Sequence, residues 1–127
     1  MRLDFIFERD KIIVEPVITG NGSRRKFRFF LDTGASVTVI DSSVATVFDF
    51  EYNDNDKLVT ASGRTKSKKV TIPEIELFGK AVPNFGVNVI DFPYQITVFA
   101  DGLLGMDFIK RFKHLNIDFE NQSIDAE

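Results

Sequence analysis

The chain has no cysteine and no tryptophan, a single histidine, and no apolar run long enough to cross a bilayer as a helix. Without cysteine there is no disulfide, no thiol nucleophile and no thiolate metal site, a usage that fits a reducing compartment. His114 alone cannot build a multi-histidine metal site within one chain, and any Ser-His-Asp triad would have to use it. It is read as a surface or satisfied core residue. The opening Met1-Arg2-Leu3-Asp4-Phe5, followed by Glu8, Arg9, Asp10 and Lys11, offers no apolar stretch of signal-peptide length. A soluble, cytoplasmic protein is therefore the expectation. A formal net charge of -3 argues against general polyanion binding, so neither nucleic acid nor a membrane is the expected partner, with local basic patches leaving nucleic acid as a minor alternative.

Also missing are a glycine-rich phosphate cradle followed by Lys-Ser or Lys-Thr, a low-complexity tract, a linker, and an internal repeat at half-length. With 127 residues, one domain covering 1–127 is expected, large enough to bury a core. What the chain does have is phenylalanine, 14 of them in a 43% hydrophobic composition, so the core is expected to be Phe-rich.

Short strands and turns dominate the pattern. Ile12 to Ile18 reads as a strand, Thr19-Gly20-Asn21-Gly22-Ser23 as a turn, and Lys26 to Leu31 as an alternating return strand. Arg24, Arg25, Lys26 and Arg28 are read as its solvated face. Asp41-Ser42-Ser43 can cap a helical turn through Val44, Ala45 and Val47, and Asn53-Asp54-Asn55-Asp56 reads as a polar loop. Two hairpin arms are expected between Leu58 and Ile72 around Gly63, with Lys66, Lys68 and Lys69 discouraging edge pairing. Turns are marked by Pro73, Gly79-Lys80, Pro83 and Pro93, and a further strand by Ile96 to Phe99. Val98 and Phe99 are read as core rather than as pocket walls. One late helix is expected over Gly105 to Phe112, with Phe108, Ile109 and Phe112 on one face, before the alternation of Leu115 to Phe119.

The chemistry concentrates at Leu31-Asp32-Thr33-Gly34-Ala35-Ser36, where a carboxylate sits on a glycine turn between two apolar strands. Roughly seventy residues later comes Gly102-Leu103-Leu104-Gly105-Met106-Asp107-Phe108-Ile109. Asp101 and Asp107, beside these glycines, are read as loop and helix-terminus acids. The reading of Asp32 as an Asp that merely closes a turn through its own backbone is set against this full context.

Together the two segments resemble those of the retropepsin-like aspartic proteases. The resemblance runs from about Ile12 to Ile124 and implies a mostly β, single-lobe acid protease barrel with one short C-terminal helix, assembled as a symmetric dimer. It implies that Asp32 is catalytic, that Thr33 and Gly34 with Leu103, Leu104 and Gly105 support its loop, and that Ala35, Ser36, Ser62 and Gly63 contact substrate. Val59-Thr60-Ala61-Ser62-Gly63 looks like the first strand and tip of a flap. Viral members carry acids where this chain has Ser36 and Val37, so the pattern looks closer to bacterial and cellular relatives.

Peptide hydrolysis by carboxyl groups alone needs one base to deprotonate water and one acid to protonate the carbonyl oxygen. Two carboxyls sharing one proton supply both, because like-charge repulsion keeps them from ionising together. No second Asp-Thr-Gly or Asp-Ser-Gly occurs, so the enzyme reading requires a homodimer, a peptide or protein substrate, and no metal or cofactor. The rival is a non-catalytic peptide-binding or dimerisation module on the same fold. For Gly34, a Cβ is expected to obstruct the approach of two loops, and the turn to call for glycine dihedrals. The N-terminal Leu3 to Phe7 and the C-terminal segment are candidates for an intersubunit sheet.

Overall fold

A computed structural model describes the backbone of residues 1–60 and 63–127, and their side chains outside 54–67. Six short strands, β1 (Arg2–Asp4), β2 (Ile6–Glu8), β3 (Lys11–Val14), β4 (Val17–Gly20), β5 (Ser23–Lys26) and β6 (Phe29–Leu31), lead to the Asp32 turn. Beyond it come β7 (Val39–Asp41) and α1 (Ser42–Phe48), then three antiparallel strands β8 (Asp54–Thr60), β9 (Gly63–Leu77) and β10 (Lys80–Ile90). The chain closes with α2 (Tyr94–Thr97), β11 (Gly102–Leu104), α3 (Met106–Ile109), β12 (Leu115–Asp118) and β13 (Ser123–Ala126).

Among the described residues the strands form two sheets. The larger runs β2-β3-β6-β11-β7-β10-β9-β4-β5, with β8 paired to β9 alone, and the smaller is β1-β13-β12. Phe29, Ile40, Leu104 and Phe108, all but inaccessible to solvent, belong to the main core. Phe108 meets the rings of Phe85 and Phe112, so the phenylalanine richness is spent on core packing. Burying one such ring contributes on the order of 1.5–3 kcal/mol. A second, smaller cluster of Ile13, Phe30 and Ala100, with Ile96, Phe99 and Leu103 packed against it, is separate from the main core.

Local chemistry explains the turns. Asn21-Gly22 and Phe78-Gly79 both hold φ near +50° and then near +80°, the two-residue hairpin geometry whose twist matches the strands it joins. Asp41 caps α1 by accepting from the Ser43 N–H and hydroxyl, as the Asp-Ser-Ser signature implies.

Several expectations are corrected. The strand expected over Ile12 to Ile18 is cut by Glu15-Pro16, and the returning one by Phe27-Arg28, where the Phe27 N–H donates to the Pro16 carbonyl. Both arms of one hairpin thereby bend together, β3 and β6 pairing on one side of the joint and β4 and β5 on the other. The basic residues Arg24, Arg25 and Lys26 consequently belong to an exposed edge strand that stops short of the Asp32 turn. The 53–56 loop ends at Asn53, because β8 begins at Asp54. Pro73 and Pro83 do not turn the chain. Strands β9 and β10 run through them, with the left-handed Asn84 placed opposite Pro73.

Besides α1, whose helical turn is expected after Asp41, the late part of the chain holds two short helices rather than one. Ile96 to Phe99 is not a strand, because Pro93 starts α2 by offering its carbonyl to the Ile96 and Thr97 N–H groups. Val98 is consequently exposed, whereas Phe99 is half-buried beneath the Arg9 guanidinium, 4.1 Å from the ring centre. The helix expected over Gly105 to Phe112 stops at Ile109, although Phe112 still packs on Phe108 and Phe78. The chain ends pair with each other within one chain, β13 lying between β1 and β12.

Candidate active site

Strand β11 lies between β6 and β7, the two strands that flank the Asp32 loop, parallel to the first and antiparallel to the second. Leu104, opposite Leu31, is buried and offers its carbonyl to the Asp32 N–H at 3.0 Å. The chain then turns at Asp32: its carbonyl accepts the Ala35 N–H at 3.2 Å and its carboxylate Oδ1 accepts the Gly34 N–H at 3.0 Å. Asp32 is half-buried while Thr33 and Gly34 are exposed. Among the described residues, the Gly34 N–H is the one hydrogen-bond donor on this carboxylate.

Gly34 does not have positive φ, so the turn itself does not demand glycine, contrary to that part of the expectation. A Cβ there would touch only Asp32 Oδ1, at 3.3 Å. Gly105 is the glycine that its surroundings require. An added Cβ would lie 2.5 Å from the Val37 carbonyl oxygen and 3.0 Å from that of Ala35, backbone atoms that cannot step aside.

Beneath the turn the 105–107 segment and the 35–38 segment are bonded repeatedly. Met106 N–H donates to the Ala35 carbonyl at 2.7 Å and Asp107 N–H to the Ser36 carbonyl at 3.2 Å. In return the Asp107 carboxylate accepts from Thr38, the N–H at 3.0 Å and the hydroxyl at 2.7 Å. The Thr38 hydroxyl, fully buried, also accepts the Gly105 N–H at 3.1 Å. Asp107 and Thr38 were missed by sequence reasoning, which saw the first as a helix-terminus acid and did not single out the second. Nothing local links residues 69 positions apart.

Two further acids brace the same strands. Asp101 accepts the Arg28 N–H at 3.0 Å, and its carbonyl accepts the Asp41 N–H at 2.8 Å, tying the entrance of β6 to the end of β7. Burial pushes the Asp41 carboxyl up, but hydrogen bonds from the Ser43 hydroxyl and the N–H groups of Phe92, Ser43 and Ser42 outweigh it. The net result is a pKa below the ordinary carboxylate value.

Of the residues named from sequence, Asp32, Thr33, Gly34, Ala35, Ser36, Leu103, Leu104 and Gly105 are brought into one loop and its support. Ala61 and Ser62, at the expected hairpin tip, lie outside the described residues. Gly63 opens β9 opposite Thr60, so a hairpin does surround the expected tip. His114 is exposed, with Nε2 3.4 Å from Glu127. No group of three or more His, Asp or Glu side chains among the described residues is arranged to hold a metal ion.

An Asp-Thr-Gly turn borne by two strands, with a third strand threaded between them, is the architecture of one lobe of an aspartic protease. A family model described as gag-polyprotein putative aspartyl protease matches residues 18–111, and the chain belongs to that family. Among solved structures it is similar to a retropepsin-like aspartic protease from Rickettsia conorii, with 22% identity, 99% of this chain and 89% of that one covered, and a TM-score of 0.67. It is also similar to the EIAV protease complexed with the inhibitor HBY-793, with 16% identity, 81% and 88% covered, and a TM-score of 0.60. The retroviral protease-like domain of Ddi1 from Leishmania major gives 18% identity, 91% and 94% covered, and a TM-score of 0.55. The fold is thus that of the retropepsin-like proteases. No curated protein sequence matches the chain.

Proposed function

We propose that the protein is an aspartic endopeptidase in which two copies of the chain each contribute Asp32 to one site. The observation that carries this reading is the Asp32 carboxylate itself, mounted on a braced loop with one donor on it among the described residues and exposed Thr33 and Gly34 beside it. With its mate across a two-fold axis, one carboxylate removes a proton from water as the water oxygen bonds to the scissile carbonyl carbon. The protonated mate gives its proton to the carbonyl oxygen. The tetrahedral intermediate then collapses, the C–N bond breaks, and the nitrogen leaves with a proton from the pair.

Support for two copies comes from the single motif and from the surface. Phe7, Ile117 and Phe119 are exposed, the Phe119 ring lying 6.0 Å from that of Phe7. Phe7 and Ile117 sit on β2 and β12, each at an edge of its sheet, where another chain can add. The β8–β9 hairpin is assigned to cover an extended peptide, with Ala35, Ser36, Ser62 and Gly63 along it. A peptide or protein is the substrate class, in a cytoplasmic setting.

The test is Asp32→Asn, which keeps shape and removes the shared proton. The folded variant should lose peptidase activity, and parent activity per chain should fall on dilution as pairs dissociate. Undiminished cleavage by Asp32→Asn overturns the catalytic assignment. An active species that sediments strictly as a monomer overturns the two-copy site. Peptide binding without cleavage in the parent favours the binding-module reading.

A further inference from the structure

Asp107 lies outside the Asp-Thr-Gly turn, yet its carboxylate is committed entirely toward the loop that bears Asp32. We infer that Asp107, acting through Thr38, is a positioning residue that sets the height and tilt of the Asp32 turn. This rests on the peptidase reading of Asp32.

Thr38 is fully buried, so every hydrogen-bonding capacity of its hydroxyl needs a protein partner. Thr38 Oγ1 accepts from the Gly105 N–H at 3.1 Å, so its own hydrogen needs an acceptor, and Asp107 Oδ1 supplies it at 2.7 Å. The other carboxylate oxygen takes the Thr38 N–H at 3.0 Å. Both oxygens of Asp107 thus accept hydrogen bonds from one residue, a two-point grip that fixes Thr38 in rotation as well as distance.

That grip acts on Asp32 because both ends of the loop are anchored to the same short stretch. Leu104 holds the Asp32 N–H, and Gly105, next in the chain, holds Thr38 and packs under Val37 and Ala35. A shift at Thr38 therefore moves the exit of the loop while its entrance stays bonded, and Asp32 has to tilt. Proton sharing between two carboxyls depends on a separation of hydrogen-bond length, so a small tilt matters to the reaction step more than to substrate binding.

An amide cannot replace the carboxylate. In Asp107→Asn one oxygen can still accept the Thr38 N–H, but the NH2 group then faces the Thr38 hydroxyl and forces it to accept. The hydroxyl then has two donors aimed at it and its own hydrogen has no acceptor. Thr38→Val removes the hydroxyl at nearly constant volume, and Thr38→Ser retains it.

The experiment measures kcat and KM separately on one peptide for the parent, Asp107→Asn, Thr38→Val, Thr38→Ser and Asp32→Asn, with thermal unfolding of each. Mispositioning by about 1 Å can cost on the order of a hundredfold, so Asp107→Asn and Thr38→Val should lose roughly ten- to a hundredfold in kcat with KM near the parent value. Thr38→Ser should recover most of that loss. If folded Asp107→Asn and Thr38→Val both keep the parent kcat while Asp32→Asn is inactive, the positioning role is overturned and the peptidase reading stands. If Asp32→Asn is active, the peptidase reading itself fails. Should Asp107→Asn and Thr38→Val both fail to fold, or should KM rise with kcat unchanged, the role is structural or substrate-directed and the inference is also overturned.

Discussion

At the base of the Asp32 loop, the carbonyls of Ala35 and Ser36 and the N–H and hydroxyl of Thr38 meet partners from residues 105–107. At its tip, Thr33 and Gly34 face solvent and, among the described residues, the Asp32 carboxylate has a single donor, from within its own turn. The contrast separates two uses of the same side chain. An aspartate whose oxygens are filled by protein donors, such as Asp107 or Asp41, serves geometry. One with lone pairs left open can take and return a proton. Hydrogen bonding is thus concentrated one layer below the Asp32 carboxylate.

The comparison breaks most sharply at Gly105. In Gly105→Ala the new methyl group meets backbone of the Ala35 to Val37 segment, so a loss of about 3 kcal/mol or more is expected, read by denaturant unfolding. A loss below about 1 kcal/mol would mean that the base yields easily. Next comes Asp41→Ala, which removes the cap of α1 and leaves the Phe92 N–H without its acceptor. About 1–3 kcal/mol is expected.

Acid titration sharpens the same point. Because the folded pKa of Asp41 is depressed, its contribution to stability is complete above the unfolded value and is lost as pH falls through the folded one. Asp41→Asn, which can still cap, should therefore flatten the acid limb of stability against pH. An unchanged limb would assign that limb to other groups. The smallest effect on stability belongs to the tip. Gly34→Ala should change unfolding by no more than about 0.5 kcal/mol. The same methyl group, set between two loops in the proposed pair, should nevertheless lower activity at fixed chain concentration. Parent-like activity would show that Gly34 is not at a close approach.

What could be read from the sequence follows the range of the interactions. The Asp32 turn, the Asp41 cap and the Asn21-Gly22 hairpin depend on a few neighbouring residues and were legible there, whereas the Leu104-Gly105 support, formed across the chain, came only from the family resemblance. The paired break of the first hairpin was not, because Glu15-Pro16 and Phe27-Arg28 bend together only once the strands have paired. Ile96 to Phe99 misled for a related reason: its β-branched residues suit a strand, while Pro93 supplies a helix start that prevails over so short a run. Asp107 and Thr38 each look ordinary alone, and their meaning arises from a contact between distant parts of the chain.

The position of β11 between β6 and β7 also orders events during synthesis. Strands β6 and β7 cannot be bridged until Gly102 to Leu104 has left the ribosome, long after the Asp-Thr-Gly turn has emerged. Such distant pairing is slow to form, because a long loop must close before any contact rewards it. A nascent chain ending before Gly102 therefore displays the turn without the strand that fixes it, and the proposed chemistry has to wait until nearly the whole lobe has been made.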